Sequence, residues 1–210
     1  MNKYKLTKET KKWCGTTLHR IEYLKDFADI EKGEKGGWIE KEDNLSQEDD
    51  ARVCGDARVC GDAHVCGDAW VYGDARVYGD AHVYGDAWVY GDAQVYGDAW
   101  VYGDAQVYGD AHVYGDAHVC GDTQVYGDAH VYGDAWVYGD ARVYGELKLI
   151  GGCFYHTKEK SEEIEKIELD EYYEILCSEP EVEEAEEECD LSGTEVEVKV
   201  NGKTYKATIE

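Results

Sequence analysis

The stretch AWVYGDAQVYGDAWVYGDAQVYGD, residues 87–110, contains four copies of one six-residue unit, A-x-V-Y-G-D. The unit recurs sixteen times without interruption from Ala51 to Glu146. An even period suits β-strands, in which successive side chains point to opposite faces. Ala and Val therefore point one way, and the variable residue x and Tyr point the other way. Gly-Asp then ends each strand, because glycine adopts backbone angles that other residues resist.

A small residue and an aliphatic residue that recur every six positions resemble the hexapeptide repeat of left-handed parallel β-helices. In that superfamily three hexapeptides form one triangular coil of 18 residues. The resemblance implies an all-β solenoid, a single-stranded left-handed parallel β-helix of about five coils. Val is expected to fill the interior, with Ala beside it at the corners. Because stacked strands lie about 4.8 Å apart, the repeat predicts a rod about 25 Å long.

The two ends of such a solenoid expose unpaired strand edges and require caps. Residues 1–47 alternate polar and apolar side chains and are predicted to form an N-terminal β cap. The β-helix itself is assigned to residues 48–156. Larger apolar residues follow the last repeat and are predicted to plug the C-terminal end: Leu147, Leu149, Ile150, Phe154 and Tyr155.

Residues 157–210 are predicted to form a small acidic appendage, either α+β or all-β. Helix and strand both remain open for residues 157–190. Residues 195–210 are predicted to form a β-hairpin, because Asn201-Gly202 is a favoured two-residue turn. That turn pairs Val198 with Tyr205 and Val196 with Ala207.

The phrase GGWIEKEDNLSQ, residues 36–47, precedes the repeat. Together they resemble a group of prophage and enterobacterial β-helix proteins often labelled acyltransferase-like, over roughly residues 20–150. The resemblance implies a phage or prophage origin. Left-handed β-helix acyltransferases usually interrupt a coil with a long loop that builds the active site, whereas residues 51–146 contain no insertion. Because no position differs from its neighbours as a catalytic position would, we expect no enzyme.

The chain carries a formal net charge of −26, of which −11 lies in residues 51–150 and −13 in residues 151–210. Such a surface repels nucleic acid and anionic membranes and favours basic protein surfaces. No apolar run approaches the length of a signal or a membrane span, so a cytoplasmic location is expected.

The acidic residues of the repeat fall into three columns when the units are grouped by 18. Three acids per coil correspond to one charge per about 1.6 Å of rod, close to the value of about 1.7 Å for duplex DNA. Subtracting the five basic residues leaves a net charge of −11, or one charge per about 2.3 Å. An alternative is that each Asp serves only its turn, by accepting backbone N–H bonds. The carboxylates predicted to bind a partner are Asp74, Asp92, Asp110 and Asp128 in one column, and Asp80, Asp98, Asp116 and Asp134 in the next.

One column of variable residues contains His64, His82, Trp100, His118 and Trp136. Trp100 and Trp136 are candidate anchors for a protein partner, because Trp is enriched at interface hot spots. The alternative is that an outward slot tolerates any bulky, flat or polar residue. His64 and His82 would lie one coil apart, but neither has a carboxylate in its own strand to orient it. No metal site and no cofactor are therefore predicted.

In the first three units Cys54, Cys60 and Cys66 occupy the slot that is Tyr in most units. The 18-residue coil places them on three different sides, too far apart to form a disulfide.

The leading functional prediction is a non-enzymatic phage or prophage protein that occupies the basic, nucleic-acid-binding surface of a host protein. A defence or CRISPR nuclease is the candidate partner, and neither nucleic acid nor a membrane is expected to bind directly. The second hypothesis is a structural spacer or assembly module that forms homo-oligomers through its Tyr and Trp columns.

Overall fold

The computed structural model describes residues 2–154, 195–200 and 203–208. One 3₁₀ turn, Glu42–Asn44, is the only helical element among them. The strands are β1 Tyr4–Trp13, β2 Thr16–Tyr23, β3 Lys35–Ile39, β4 Arg52–Val53, β5 Arg58–Val59, β6 His64–Val65, β7 Trp70–Val71, β8 Arg76–Gly79, β9 His82–Val83, β10 Trp88–Val89, β11 Gln94–Gly97, β12 Trp100–Val101, β13 Gln106–Val107, β14 His112–Val113, β15 His118–Val119, β16 Gln124–Val125, β17 His130–Val137, β18 Arg142–Val143, β19 Lys148–Phe154, β20 Glu195–Val200 and β21 Lys203–Thr208.

The repeat forms an all-β parallel solenoid with 18 residues per coil, as predicted. Each short strand pairs in parallel with the strand 18 residues further along, as in Arg52↔Trp70, Arg58↔Arg76 and His64↔His82. Side 1 consists of β4, β7, β10, β13, β16 and β18. Side 2 consists of β5, β8, β11, β14 and the start of β17, and side 3 of β6, β9, β12, β15 and the end of β17. The left-handed sense of the coil stays a prediction.

The core is a column of Ala and Val. Every Val of the repeat is at most 3 % exposed and every Ala at most 2 %, and Thr123 is fully buried in the Ala slot. The acidic residues are exposed, and the variable residues and tyrosines are mostly half-buried because they pack on their neighbours in the next coil. Burial of Ala and Val in every unit is confirmed.

The corners are turns in which Gly has a positive φ, such as +73° at Gly97. At several corners the N–H of the following Asp donates to the Gly carbonyl of the next coil, and the distance from the Asp74 nitrogen to the Gly91 oxygen is 2.9 Å. These corners are therefore bonded through the main chain to the corners of the next coil.

The solenoid has about six turns rather than about five, because flanking residues without the repeat continue its ladders. Before the repeat, β3 pairs in parallel with β5 through Trp38↔Arg58, and Leu45 forms a parallel bridge with Val65. After it, β19 pairs in parallel with β17. Parallel pairing needs the right backbone direction and spacing but not the repeat motif itself. The sequence period alone therefore underestimates the number of turns in the solenoid.

The N-terminal end carries the predicted β cap, in which β1, β2 and β3 form an antiparallel extension of side 2. Lys3 is fully buried, and its Nζ donates to the carbonyl oxygens of Asp49 at 3.0 Å and Ala51 at 2.6 Å. The Tyr23 hydroxyl donates to the Val53 carbonyl oxygen at 3.0 Å and accepts from the Val53 N–H at 2.9 Å. These side chains satisfy main-chain groups at the start of the repeat.

At the C-terminal end, Leu149 is buried, and Leu147 and Phe154 pack against the core, as expected of a plug. Tyr155 and residues 157–190 lie outside the described residues, and so does the turn at 201–202. The terminal hairpin has the predicted register, with Val198 opposite Tyr205 and Val196 opposite Ala207.

Cys54, Cys60 and Cys66 follow β4, β5 and β6, which lie on three different sides, and all three thiols are free. The predicted separation of these cysteines is confirmed.

Candidate partner-binding surface

The acidic residues of the repeat form three columns, one at each corner of the solenoid. The column at corner 1, between sides 1 and 2, contains Asp56, Asp74, Asp92, Asp110, Asp128 and Glu146. The column at corner 2, between sides 2 and 3, contains Asp62, Asp80, Asp98, Asp116 and Asp134. The column at corner 3, between sides 3 and 1, contains Asp68, Asp86, Asp104, Asp122 and Asp140. All of these side chains are exposed.

Within the described residues, none of the repeat acids from Asp68 to Asp134 forms a side-chain hydrogen bond or an ion pair. The alternative in which each carboxylate accepts a backbone N–H at its own turn is therefore not what the structure shows. The turns are held by backbone bonds between coils, such as Asp92 N–H to Gly109 carbonyl at 2.9 Å. The carboxylates are left facing solvent with their acceptor capacity unused.

The N-terminal cap neutralises the first acid of two columns. Asp56 accepts from the Trp38 indole N–H at 3.1 Å and lies 3.6 Å from an Arg20 nitrogen and 3.8 Å from the Lys11 Nζ. The Trp38 hydrogen bond, with the two cations nearby, lowers the pKa of Asp56. Lys41 pairs with Asp62 in the same way and lowers the pKa of that carboxyl group. The eight aspartates predicted from the sequence all lie beyond these capped positions.

Tyrosines form ring stacks parallel to the rod axis. On side 1, five rings from Tyr72 to Tyr144 stack with centroids 4.9 to 5.3 Å apart. On side 2, four rings from Tyr78 to Tyr132 stack at 4.8 Å with interplanar angles of at most 3°. On side 3, Tyr84 and Tyr102 stack at 4.9 Å, and Cys120 interrupts the column.

The variable residues of side 3 form one continuous column of ring contacts. Ring centroids are 6.4 Å apart for His64 and His82, 4.9 Å for His82 and Trp100, 5.8 Å for Trp100 and His118, and 4.6 Å for His118 and Trp136. The predicted anchors therefore share one column but are separated by His118. Trp100 is 37 % exposed, and Trp136 is half-buried. Burial lowers the pKa of His118, and the charge of Asp116 opposes that shift.

Basic residues are distributed unevenly among the three sides. On side 1, the Arg52 guanidinium lies 4.3 Å from the Trp70 ring centroid, and its Nε lies 2.8 Å from an Asp29 oxygen. Side 2 carries Arg58, Arg76 and Lys148. The column of side 3 contains no Lys or Arg. Because corners 2 and 3 border this side, it is the face on which unpaired carboxylates are least balanced by basic residues.

The cation contacts of the cap and of Arg52 were not predicted from the sequence. One signal for the Arg52–Trp70 contact was present, because the two residues are 18 positions apart and share a column. Nothing comparable pointed to the contact of Arg20 with Trp38 and Asp56, which depends on how the cap folds back.

The described residues contain no group of three or more His, Cys, Asp or Glu side chains arranged to hold a metal ion. The rings of His64 and His82 are neighbours, yet no further ligand joins them. In the same part of the chain no helix has the length and apolar character needed to cross a membrane.

Comparison with known protein families gives one match. The family model of the YdcK beta solenoid repeat matches residues 51–67, 69–85, 75–91, 105–121 and 124–139. The chain is a β-solenoid repeat protein. All matched segments of this solenoid lie within the uninterrupted repeat, so the similarity concerns the coils and not the cap or the C-terminal residues. No curated protein matches the chain.

Proposed function

We propose that this solenoid is a non-enzymatic binding protein whose acidic columns dock on a basic protein surface of the kind that holds nucleic acid. The observation that carries the proposal is the set of exposed carboxylates from Asp68 to Asp134, which have no hydrogen-bond or ion-pair partner in the described part of the chain. These carboxylates are presented by a core of Ala and Val that varies only at Thr123, so their spacing is imposed by the backbone. A preorganised row of charges loses little conformational entropy when it binds.

The charge density supports a polyanion-like role. Three acids per coil give about one charge per 1.6 Å of rod, against about one per 1.7 Å in duplex DNA. A basic groove that binds the phosphates of DNA would therefore meet a similar density of negative charge here. The proposed partner is a nucleic-acid-binding host protein such as a defence or CRISPR nuclease, encountered in the cytoplasm by a phage or prophage product. This origin and partner are suggested by the likeness of residues 36–47 and the repeat to prophage β-helix proteins.

The test is capture of host proteins on the immobilised full chain at low and high salt, followed by competition with a duplex DNA of about 20 base pairs. Binding through charge weakens as salt screens it. We expect a captured nucleic-acid-binding protein that high salt or duplex DNA releases. The matched control is a chain with Asn at Asp74, Asp92, Asp110, Asp128, Asp80, Asp98, Asp116 and Asp134. Equal capture by the wild type and this control, unaffected by salt, would rule the proposal out.

A structural spacer or assembly module is the second candidate, and the exposed rings favour it. Trp88 is 38 % exposed, Trp100 37 % and Tyr144 46 %. Aromatic contacts between copies are largely apolar, so they persist in salt that disrupts charge pairing. Sedimentation velocity at about 50 and 500 mM salt distinguishes the two functions, because assembly predicts an oligomer whose size does not fall as the salt concentration rises.

A further inference from the structure

We infer that side 3 is the docking face and that it binds an extended, arginine-rich segment of the partner between the acidic columns of corners 2 and 3. This inference rests on the proposed function and adds to it the face and the chemistry of the bound segment. The residues that would contact the segment are Trp100, Trp136, Asp80, Asp98, Asp116, Asp134, Asp86, Asp104 and Asp122.

Charge complementarity selects this side. Side 3 is bordered on both edges by acidic columns, and its own column of His64, His82, Trp100, His118 and Trp136 contributes no Lys or Arg. Sides 1 and 2 each contain basic residues that a cationic segment would have to approach, such as Arg142 and Arg76. The attraction of a basic segment is therefore greatest, and the like-charge repulsion smallest, at side 3.

The chain itself shows how a Trp ring and a carboxylate together hold a guanidinium group. Arg20 lies with its guanidinium carbon 5.0 Å from the Trp38 ring centroid and a nitrogen 3.6 Å from an Asp56 oxygen. Trp38 occupies a ladder position of side 2, paired with Arg58, and Asp56 is an ordinary repeat acid. The same arrangement recurs with Arg52, which combines the Trp70 ring with Asp29.

Trp100 has the same kind of surroundings on side 3. Its ladder partner His118 is two residues from Asp116, and Asp98 is two residues before Trp100 itself. Neither carboxylate has a hydrogen bond or an ion pair within the described residues. Trp100 contacts the His82 ring at 41° and stacks on the His118 ring at 28°, yet it is 37 % exposed, so a partner can reach the exposed part of the ring. Arginine suits this position better than lysine, because its planar fork bonds carboxylates while its stem packs on an aromatic ring.

The spacing of the two tryptophans indicates the conformation of the segment. Trp100 and Trp136 lie two coils apart, and the Tyr84–Tyr102 stack sets one coil at 4.9 Å on this side. Two coils therefore span about 9.8 Å, and three residues of polyproline II helix rise about 9.3 Å. A segment with arginine at every third position places one guanidinium group near each tryptophan.

The test uses a fluorescein-labelled peptide of five Arg-Pro-Pro repeats, with anisotropy measured on the full chain at about 50 mM salt. We expect Trp100→Ala to weaken binding by about threefold to tenfold, since a cation–π contact and its packing are lost. The control is Trp88→Ala, because Trp88 lies on side 1 with nearly the same exposure, 38 % against 37 %. It should change the affinity by less than about twofold. A Lys-Pro-Pro peptide of equal charge should bind more weakly than the arginine peptide.

A second pair of variants separates this inference from the proposed function. The corner 2 variant loses four negative charges next to side 3, because Asn replaces Asp80, Asp98, Asp116 and Asp134. The corner 1 variant loses the same number of charges at a corner that does not border side 3, because Asn replaces Asp74, Asp92, Asp110 and Asp128. We expect the corner 2 variant to lose at least fivefold more affinity than the corner 1 variant. Equal losses in both variants, or equal effects of Trp100→Ala and Trp88→Ala, would overturn the choice of side 3 but not the proposed function. No loss in either variant, or no binding by the wild type, would overturn both.

Discussion

Each corner of the solenoid depends on a glycine with positive φ. Gly97 has a φ of +73°, and a Cβ built there would lie 2.9 Å from the Gly115 nitrogen of the next coil. Gly145 has nearly the same φ, +70°, but a Cβ there would meet nothing within 4 Å among the described residues. The two positions separate the cost of the backbone conformation from the cost of the contact between coils.

We predict that Gly145→Ala lowers the free energy of unfolding by about 1–2 kcal/mol, the cost of a left-handed residue with a Cβ. Gly97→Ala should lower it clearly further, because neighbouring coils must also separate. Urea denaturation of both variants measures the difference. Equal losses would mean that the coils adjust to a methyl group without cost.

Two aspartates in one column illustrate how position decides the role of a residue. Asp56 is tied to Trp38, Arg20 and Lys11, whereas Asp74 has no such partner within the described residues. We predict that Asp56→Asn lowers the melting temperature modestly, because exposed ion pairs contribute roughly 0.2–1 kcal/mol. Asp74→Asn should leave the melting temperature unchanged or raise it slightly, since it relieves repulsion in its column. A fall of the same size in both variants would show that the Asp74 carboxylate has a structural role at its turn.

At the scale of the element, the two stacked histidines of side 2 connect stability to pH. His112 and His130 stack with centroids 4.8 Å apart. Burial lowers the pKa of both histidines. Repulsion from His130 lowers the pKa of His112 further, and repulsion from Lys148 does the same for His130. The unfolded chain therefore binds these protons more strongly than the folded chain. Stability is fully retained above the unfolded pKa of about 6.5 and falls as the pH drops from there towards the folded pKa values.

We predict a lower melting temperature at about pH 5.5 than at about pH 7.5, because protonation favours the unfolded chain in this window. The variant with Gln at His112 and His130 should lose less over the same range. Glutamine is a fair substitute, because Gln94 occupies the same slot one coil below His112. If the variant and the wild type show the same loss, other groups control the pH dependence.

At the scale of the whole molecule, the acidic columns repel themselves. Two charges about 4.8 Å apart repel by roughly 0.9 kcal/mol in unscreened water, and salt reduces this because the Debye length is about 8 Å at 0.15 M. The cap offsets part of the repulsion at the N-terminal end, through Lys11, Arg20 and Lys41. The rest of the rod keeps its charge, which is the property that the proposed function uses.

We predict that the chain with Asn at Asp74, Asp92, Asp110 and Asp128 is as stable as the wild type or slightly more stable at low salt. Added salt should raise the melting temperature of the wild type more than that of the variant, because less repulsion remains to be screened. The affinity of the variant for a basic partner should fall through slower association. A variant that unfolds at low salt would contradict this account, because it would mean that the carboxylates hold the coils together.

Much of the architecture was predictable because the same six-residue pattern occurs in sixteen consecutive units. Ala and Val at a spacing of two specify the inward face, and Gly-Asp specifies the corner. The coil of 18 residues was implied by the resemblance of the six-residue unit to hexapeptide-repeat β-helices. The register of the terminal hairpin was also predictable, because a two-residue turn leaves only one way to pair Val198 with Tyr205. The inward face, the corners and the register of the hairpin depend on residues that are close in sequence, so local geometry determines them.

The tertiary structure alone decided how the coils end and which carboxylates stay free. The Lys3 Nζ donates to the carbonyl oxygen of Ala51, 48 residues away. Arg20 reaches Asp56 only because the cap folds back along side 2. The same is true of the extra turn, in which Trp38 continues a ladder without belonging to the repeat. The main-chain bonds between corners, such as that from Asp74 to Gly91, also appear only when coils are stacked. Contacts between distant and non-repeating residues leave no period in the sequence, so only the folded chain reveals them.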